Sequence, residues 1–478
     1  MEHRGDAAFR ICQSAVGLGV AGAALFKGAG FGLNLVAWTV LLFGAAVYCA
    51  KSGAGRLSRT TWLGLGVMTL ASLGLSWYSS ADIRVANWIA LGTGFGLAAL
   101  GTQAVRVAAA SVWDLTGRMV VEGFRLLGEG LSVPAKVPWQ RLSQSPTARK
   151  NTAVLRGVVM ATPLVLLFGA LFSSADAVFS KTVSDAFAFD IVDGVEWFSL
   201  TALFGAIGLA VAGGFAIPAI AKPPREFAAK KIGLTEVSVV LCSLCGLFGL
   251  FVAIQFQYFF GGNAAVVETT GLSYADYARK GFFELVWVAG LALPLLVGAH
   301  AVAPQESRRE VALFRVLATV LTGLLFVVMA SAMTRMQLYV ESYGLTPLRV
   351  SVSAFMLWLA LVLCWFLASL FRGSMRRFAA GGVAAGLAVI AALNFATPDK
   401  IAAKYNVVRF GSSADLDVGH LSELGPESVP VVLAHWSSLT ETAQKRVSEK
   451  YEERWSARAD WRGSTVSGLL ARSAVEGR

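Results

Sequence analysis

Residues 237–262 read VSVVLCSLCGLFGLFVAIQFQYFFGG, an unbroken stretch without a single charge. A hydrocarbon core of about 30 Å is crossed by about 20 apolar residues in a helix. Residues 31–50, FGLNLVAWTVLLFGAAVYCA, form a second uncharged run of that kind. Working outward from these two, the same reading places eleven spans, at about 9–26, 31–50, 62–79, 85–105, 154–172, 197–220, 234–260, 281–302, 311–333, 348–371 and 376–395. Their abundant Gly and Ala let helix backbones approach closely in lipid. The expected fold is all-α: a polytopic transmembrane helix bundle with a small helical C-terminal extramembrane domain.

Composition agrees. The chain is 56% hydrophobic and 15% charged, where soluble chains are about 25% charged. The net charge of +11 does not point to nucleic acid, because the basic residues fall in loops between apolar runs. Loops assigned to one side hold 23 Lys and Arg, and loops on the other hold 7 before the tail. Positive residues favour the cytoplasmic side. The amino terminus is therefore expected inside and the C-terminal tail outside, in a bacterial cytoplasmic membrane. Arg4 and Arg10 precede the first apolar run, which reads as a retained signal anchor.

The chain divides into a four-span segment (1–105), a basic connector (106–153), a seven-span core (154–395) and a polar tail (396–478). The connector interleaves Arg118, Arg125 and Lys136 with Trp113, Phe124 and Trp139, the pattern of an amphipathic stretch on anionic inner-leaflet lipid. A solvated connector is the alternative. In the tail, Pro398 and Pro426 stand at helix-start positions, and Thr440 precedes a charged helix as an N-cap. The tail is expected to dock outside and to offer a surface for an extracytoplasmic protein partner.

Motifs of chemistry are sparse. Cys242-x-x-Cys245 has redox spacing but lies inside an apolar helix with no His or carboxylate nearby, so packing is the better reading. No His pair has metal-ligand spacing, and neither a nucleophile elbow nor a phosphate loop is present. No metal, cofactor or catalytic residue is assigned. The distinctive polar residues collect on the outer side: Asp176, Asp276, Glu284, Arg335, Tyr339 and Tyr343, an expected outward-facing polar site. Interfacial tyrosines are an ordinary membrane feature, but a carboxylate one turn inside an apolar helix normally has a partner. Arg335, at the outer end of the neighbouring span, is the expected partner of Glu284.

Several outer stretches resemble a known family. They are Ser174-Ala-Asp176-Ala-Val-Phe179, Gln257-Tyr-Phe-Phe-Gly261-Gly262, residues 274–285 and residues 335–346. In the tail they are Asp415-Leu-Asp417, Ser428-Val-Pro430 and Asp460-Trp461-Arg462. Over about 155–472 the chain resembles the bacterial multi-spanning membrane family catalogued as domain of unknown function 4173, related to 4153. Thr397-Pro-Asp399 stands where that family tends to carry Asn-Pro-Asp, and Ser464-Thr465 replaces a bulkier pair. The resemblance implies the membrane architecture and no established activity.

Three functions stay open. The first is a non-enzymatic sensor, scaffold or envelope-assembly partner acting through the outer face. The second is a transporter, against which stands the lack of ionisable residues in the central thirds of the spans. The third is an enzyme on a lipid-linked substrate, for which Asp176 would have to serve as the outer-loop acid.

Overall fold

In a computed structural model of the chain, residues 2–52, 57–102, 112–137, 191–216, 237–253, 282–303, 307–413, 416–455 and 460–477 are described. They form helices and connecting turns, with no strand among them.

Two helical lobes lie side by side. The first contains α1 (Glu2–Phe26), α2 (Leu33–Ser52), α3 (Arg59–Trp77), α4 (Ala81–Gly101), α5 (Val112–Leu131) and α6 (Ile191–Ala216). Ile11, Leu18, Trp38, Leu42, Met68, Leu75 and Val211 fill its core. The second contains α7 (Val237–Ala253), α8 (Phe282–Val302), α9 (Arg308–Tyr343), α10 (Pro347–Phe371) and α11 (Met375–Ala396). Leu241, Leu296, Leu321, Leu325, Met356 and Phe366 are buried there. Large apolar side chains also cover the outside: Leu70, Ile89, Trp287 and Leu357 are all exposed. Such a surface suits lipid rather than water.

Eight described helices are long and apolar enough to cross a membrane. They correspond to expected spans, with ends shifted by a few residues. At the expected span 62–79 stands α3, which is not one of those eight; buried Thr61, Ser72 and Ser76 lie among its apolar residues. The described part of the span at 234–260 is α7, and the span at 154–172 lies outside the described residues. The largest difference is α9. Its span was expected to end at 333, ahead of Arg335, but the helix runs unbroken to Tyr343. Arg335 does not end it because the side chain is only 9% exposed. At 1.5 Å per residue α9 is about 54 Å long, well beyond a hydrocarbon core.

Caps and glycines explain the local geometry. Ser58 accepts from Thr61 N–H to start α3. Ser307 and Glu310 form a reciprocal capping box at α9. Between α3 and α4, Gly64 packs so tightly that a β-carbon on it would collide with the Gly94–Ala98 backbone.

The connector expectation is modified by α5. It packs against α4 and α6, with Leu115 and Leu126 buried and Val120, Val121 and Phe124 exposed. Arg125 is paired with Glu129 at 3.0 Å and Glu122 at 3.6 Å. That cation is already neutralised within its own helix, and the outward face of α5 is apolar.

The described residues of the tail form five short α-helices, α12 (Pro398–Phe410), α13 (Val418–Glu423), α14 (Val429–Ala434), α15 (Glu441–Trp455) and α16 (Val466–Glu476), joined in part by 3-10 turns. Pro398 opens α12 and Pro426 opens a 3-10 turn (Pro426–Ser428) before α14. Thr440 Oγ1 accepts from Ala443 N–H at the start of α15. Val407, Leu421, Val432, Val447, Tyr451 and Ala471 make a separate small core.

The tail sits on one end of the bundle. Leu33 N–H donates to Ser464 O at 3.0 Å. Ser79 N–H donates to Glu427 Oε1 at 2.9 Å. Arg462 donates to Ala24 O at 2.8 Å. At this end lie the α1–α2, α3–α4 and α9–α10 turns, the loops that charge patterning assigns to one face.

Candidate functional site

Where α9 gives way to α10 the chain turns sharply. Gly344 caps α9 with φ 77° and ψ 179°, a conformation open in practice to glycine. Thr346 then caps α10 by accepting from Arg349 N–H, and Pro347 sits in the first helical turn. Arg349 folds back over the turn. Its guanidinium donates to Gly344 O and lies 3.9 Å from the centre of the Tyr339 ring, a close cation–π contact. Tyr343 meets Tyr339 edge-on at 5.1 Å.

The tail reaches this turn through Asn406 of α12. Its Oδ1 accepts from Leu345 N–H and its Nδ2 donates to Leu345 O, both at 2.8 Å. The side-chain amide thus pairs with Leu345 as a neighbouring strand would. Above it, Phe410, Asp417, His420 and Glu423 complete a cavity of about 670 Å³ floored by Tyr339, Tyr343 and Arg349. A second cavity of about 500 Å³ adjoins it through Thr346, His420 and Glu423, and adds Ser79, Asp82, Asp399 and Arg454. Together they form a groove between the tail and the helix ends.

Charges of both signs line this groove: Arg349 and Arg454 against Asp82, Asp399, Asp417 and Glu423. Most are held in place. Asp82 accepts from Ser351 Oγ at 3.2 Å. Asp417 caps α13 through His420 N–H. Arg454 donates to Ser422 O and Leu424 O. Among the described residues, Asp399 Oδ2 and His420 Nε2 are closed off from solvent and have no hydrogen-bond partner.

Behind the groove wall stands Glu427, 9% exposed. Burial pushes its carboxyl above the usual carboxylate range; Ser79 and Ser467 oppose the shift by donating to it, and the charge of Asp399 adds to it. Tyr78 is raised by burial and then by Glu427. Deeper in the tail, burial pushes Tyr451 up to about 12.

Of the six residues singled out from the sequence, Tyr339 and Tyr343 line the groove. Arg335 lies one turn further down α9, buried. Glu284 belongs to the first turn of α8, with its side chain outside the described residues, so the expected pairing with Arg335 falls there too. Asp176 and Asp276 also lie outside the described residues. Among the described residues, no three His, Cys, Asp or Glu side chains gather as a metal site would require. His300 packs beside the Phe314 ring, with ring centres 5.5 Å apart. Cys245 Sγ rests 3.7 Å from Leu317 O, and all five cysteines are free.

Sequence reasoning missed Arg349, Asn406, Asp82 and Asp399. Thr346-Pro347 is a legible helix start, and Arg349 in that first turn was the available signal. Asn406 carries no motif, since one Asn in a polar helix is unremarkable without its distant partner.

No curated protein and no solved structure gives a match. The family model described as Domain of unknown function (DUF4153) matches residues 37–435. That span takes in most of α2 and continues through α14, including the groove residues named above except Arg454. It begins well before the region of the resemblance noted from the motifs, so the first lobe from within α2 to α6 falls in the matched region, and α1 lies before it. The chain is a multi-pass helical membrane protein that belongs to the DUF4153 family.

Proposed function

We propose that this protein is a non-enzymatic receptor of a bacterial cytoplasmic membrane. In this reading its tail lies outside, and it binds a small polar solute in the groove under the tail. The carrying observation is the groove itself, whose floor belongs to the bundle and whose roof belongs to the tail. A ligand there touches both parts and so biases how they sit together, which is what a sensor requires. The mixed lining, with Arg349 and Arg454 facing carboxylates, favours a solute bearing both charges, of the amino-acid type. Outward placement rests on the basic loops gathering at the opposite end, including Lys51, Arg59, Arg308 and Arg372.

Two measurements test this. A reporter active only outside the cytoplasm should work when fused after Arg478; activity at Arg309 instead would reverse the orientation. The detergent-solubilised chain, screened by thermal shift against the common amino acids, should show stabilisation by a subset. Arg349→Ala and Glu423→Gln, both folded, should abolish that shift. A panel that leaves the wild-type midpoint unchanged would remove the receptor reading for this ligand class.

A further inference from the structure

Glu427 sits where four segments meet. It lies in the 3-10 turn between α13 and α14, and its Oε1 accepts from Ser79 N–H of the α3–α4 turn at 2.9 Å. Ser467 Oγ of α16 is 2.8 Å from the same oxygen. On its other side is Asp399, in the first turn of α12, whose Oδ1 accepts from Gly425 N–H at 2.7 Å. A β-carbon on Gly425 would collide with Glu427 Oε2 and lie 3.1 Å from Asp399 Oδ1. The two carboxyl groups therefore flank the same glycine. Both side chains are more than nine-tenths buried. Each has one oxygen, Asp399 Oδ2 and Glu427 Oε2, without a hydrogen-bond partner among the described residues.

The donors do not suffice. Ser467 has one hydroxyl proton but stands 2.8 Å from two acceptors, Trp77 O and Glu427 Oε1. Thr465 Oγ1, 3.3 Å away, is the other hydroxyl at hand. Two buried carboxylates, two idle oxygens and a shared donor describe a site short of a positive charge. We infer that the Asp399–Glu427 pair is a proton-binding site, with Glu427 held as the neutral acid when the tail is docked on the α3–α4 turn.

One proton answers both deficits. On Glu427 Oε2 it places a donor in the site at an oxygen that has no partner, and the neutral Oε1 is then served by Ser79 N–H, which leaves Ser467 to donate to Trp77 O. A bound cation is the competing way to supply charge. A hydrated ion needs space, and Calcium takes 6–8 oxygen ligands, whereas the Glu427 oxygen nearest Gly425 is closed against backbone. The raised carboxyl of Glu427 points the same way.

Among the described residues, no cation acts on Glu427 strongly enough to offset burial and the charge of Asp399. From α12 comes Asp399 itself, while Lys400 is exposed. The α3–α4 turn contributes Tyr78, and Asp82 at the start of α4 lies within electrostatic reach of Asp399. α14 has no titratable side chain. α16 presents Thr465 and Ser467, with Arg472 beyond them. Arg454 of α15 is directed at Ser422 O and Leu424 O.

Docking then takes up a proton. The docked tail favours the neutral acid and the undocked tail an ordinary carboxylate. Docking is at full strength below the ordinary carboxylate range and weakens as pH rises toward the elevated value of Glu427. The inference does not rest on the groove holding a solute.

The test uses the full chain in detergent. Hydrogen exchange at the Ser79 amide, corrected for its intrinsic pH dependence, reports docking, and infrared difference spectra report the neutral carboxyl. Wild type should lose protection with rising pH, by at most about tenfold per pH unit for a single proton. It should also show a protonated-carboxyl band that disappears in Glu427→Gln. That variant mimics the neutral acid, so its protection should be flat with pH and at least equal to wild type at the alkaline end. Asp399→Asn removes the neighbouring charge and should shift the window toward lower pH. It serves as the second readout if Glu427→Gln does not fold. A wild type flat with pH and lacking the band overturns the inference. So does restoration of alkaline protection by calcium chloride in wild type but not in Glu427→Gln, which would assign the pair to a cation.

Discussion

Two amides join the lobes inside the bundle, and removing them is the most informative perturbation of the fold. Asn87 of α4 donates to Asn394 Oδ1 of α11 at 2.8 Å, and Asn394 donates back to Asn87 Oδ1 at 3.2 Å. Each Nδ2 also bonds a carbonyl one turn earlier in its own helix, Ile83 O and Ile390 O. Asn87 is 2% exposed. Gly74 of α3 closes over the pair; a β-carbon there would lie 2.6 Å from Asn394 Oδ1 and from both terminal atoms of Asn87.

Interhelical hydrogen bonds between polar side chains in membrane proteins average about 0.6 kcal/mol and reach about 1.7. Stranding one buried amide adds about 1–3 kcal/mol. Asn87→Leu or Asn394→Leu alone should therefore cost about 1.5–4.5 kcal/mol by these figures. The double variant should cost less than the sum of the singles, with a coupling of about 1–2 kcal/mol. Gly74→Ala should destabilise by about 1–3 kcal/mol through overpacking, with both amides intact. Equilibrium unfolding of the purified chain in a denaturing detergent titration measures all four. Strictly additive single-variant costs would refute the amide pair, and a neutral Gly74→Ala would refute the close approach of α3.

Three further outcomes follow from local geometry. Gly344→Ala should cost about 1–3 kcal/mol because of its left-handed backbone, and its β-carbon would lie 2.7 Å from Asn406 Oδ1; unchanged thermal stability would contradict the turn. Thr397 is the one non-glycine residue with positive φ among those described, at 49°, and its buried hydroxyl has no partner. Asn tolerates that region better than a β-branched residue, so Thr397→Asn should stabilise by about 0.5–1 kcal/mol, read as a higher unfolding midpoint. Asn406→Ala should release the tail from Leu345 and cost about 1–3 kcal/mol, with faster proteolysis in the tail; an unaltered cleavage pattern would count against that clamp.

The helices were legible because burial in lipid leaves a coarse signature, a long uncharged run flanked by charge. Residues 31–50 and 348–371 gave α2 and α10 almost to the residue. Pro398 and Thr440 marked helix starts in the tail because caps are local. The end of α9 was missed for a physical reason. A charge normally marks the interface, but Arg335 is buried and the helix carries on to support Tyr339 and Tyr343. The groove was half legible. The tyrosines stood out by type, whereas Asp82 and Asp399 are 317 positions apart in sequence and meet only through folding. Asn87 and Asn394 are likewise separated by 307 positions, and no periodicity links them.

The tail is better understood as a cap shared by several helices than as a module hung on the last one. A helix ends with four carbonyls and begins with four N–H groups that lack partners within it. At one end of this bundle the tail supplies many of them. Ser467 lies against Trp77 O in the last turn of α3. Arg462 donates to Ala24 O in the last turn of α1. Ser464 O accepts from Leu33 N–H at the first residue of α2. Glu427 takes Ser79 N–H just ahead of α4, and Asn406 satisfies both polar groups of Leu345 between α9 and α10. These contacts are directed at backbone, so they read the positions of the helix ends more than the side chains there. Any motion that shifts α3 against α9 must break or remake bonds to the same small domain. The family match running through residue 396 without a break accords with this: the boundary between bundle and tail is a change in composition, and the hydrogen bonds cross it.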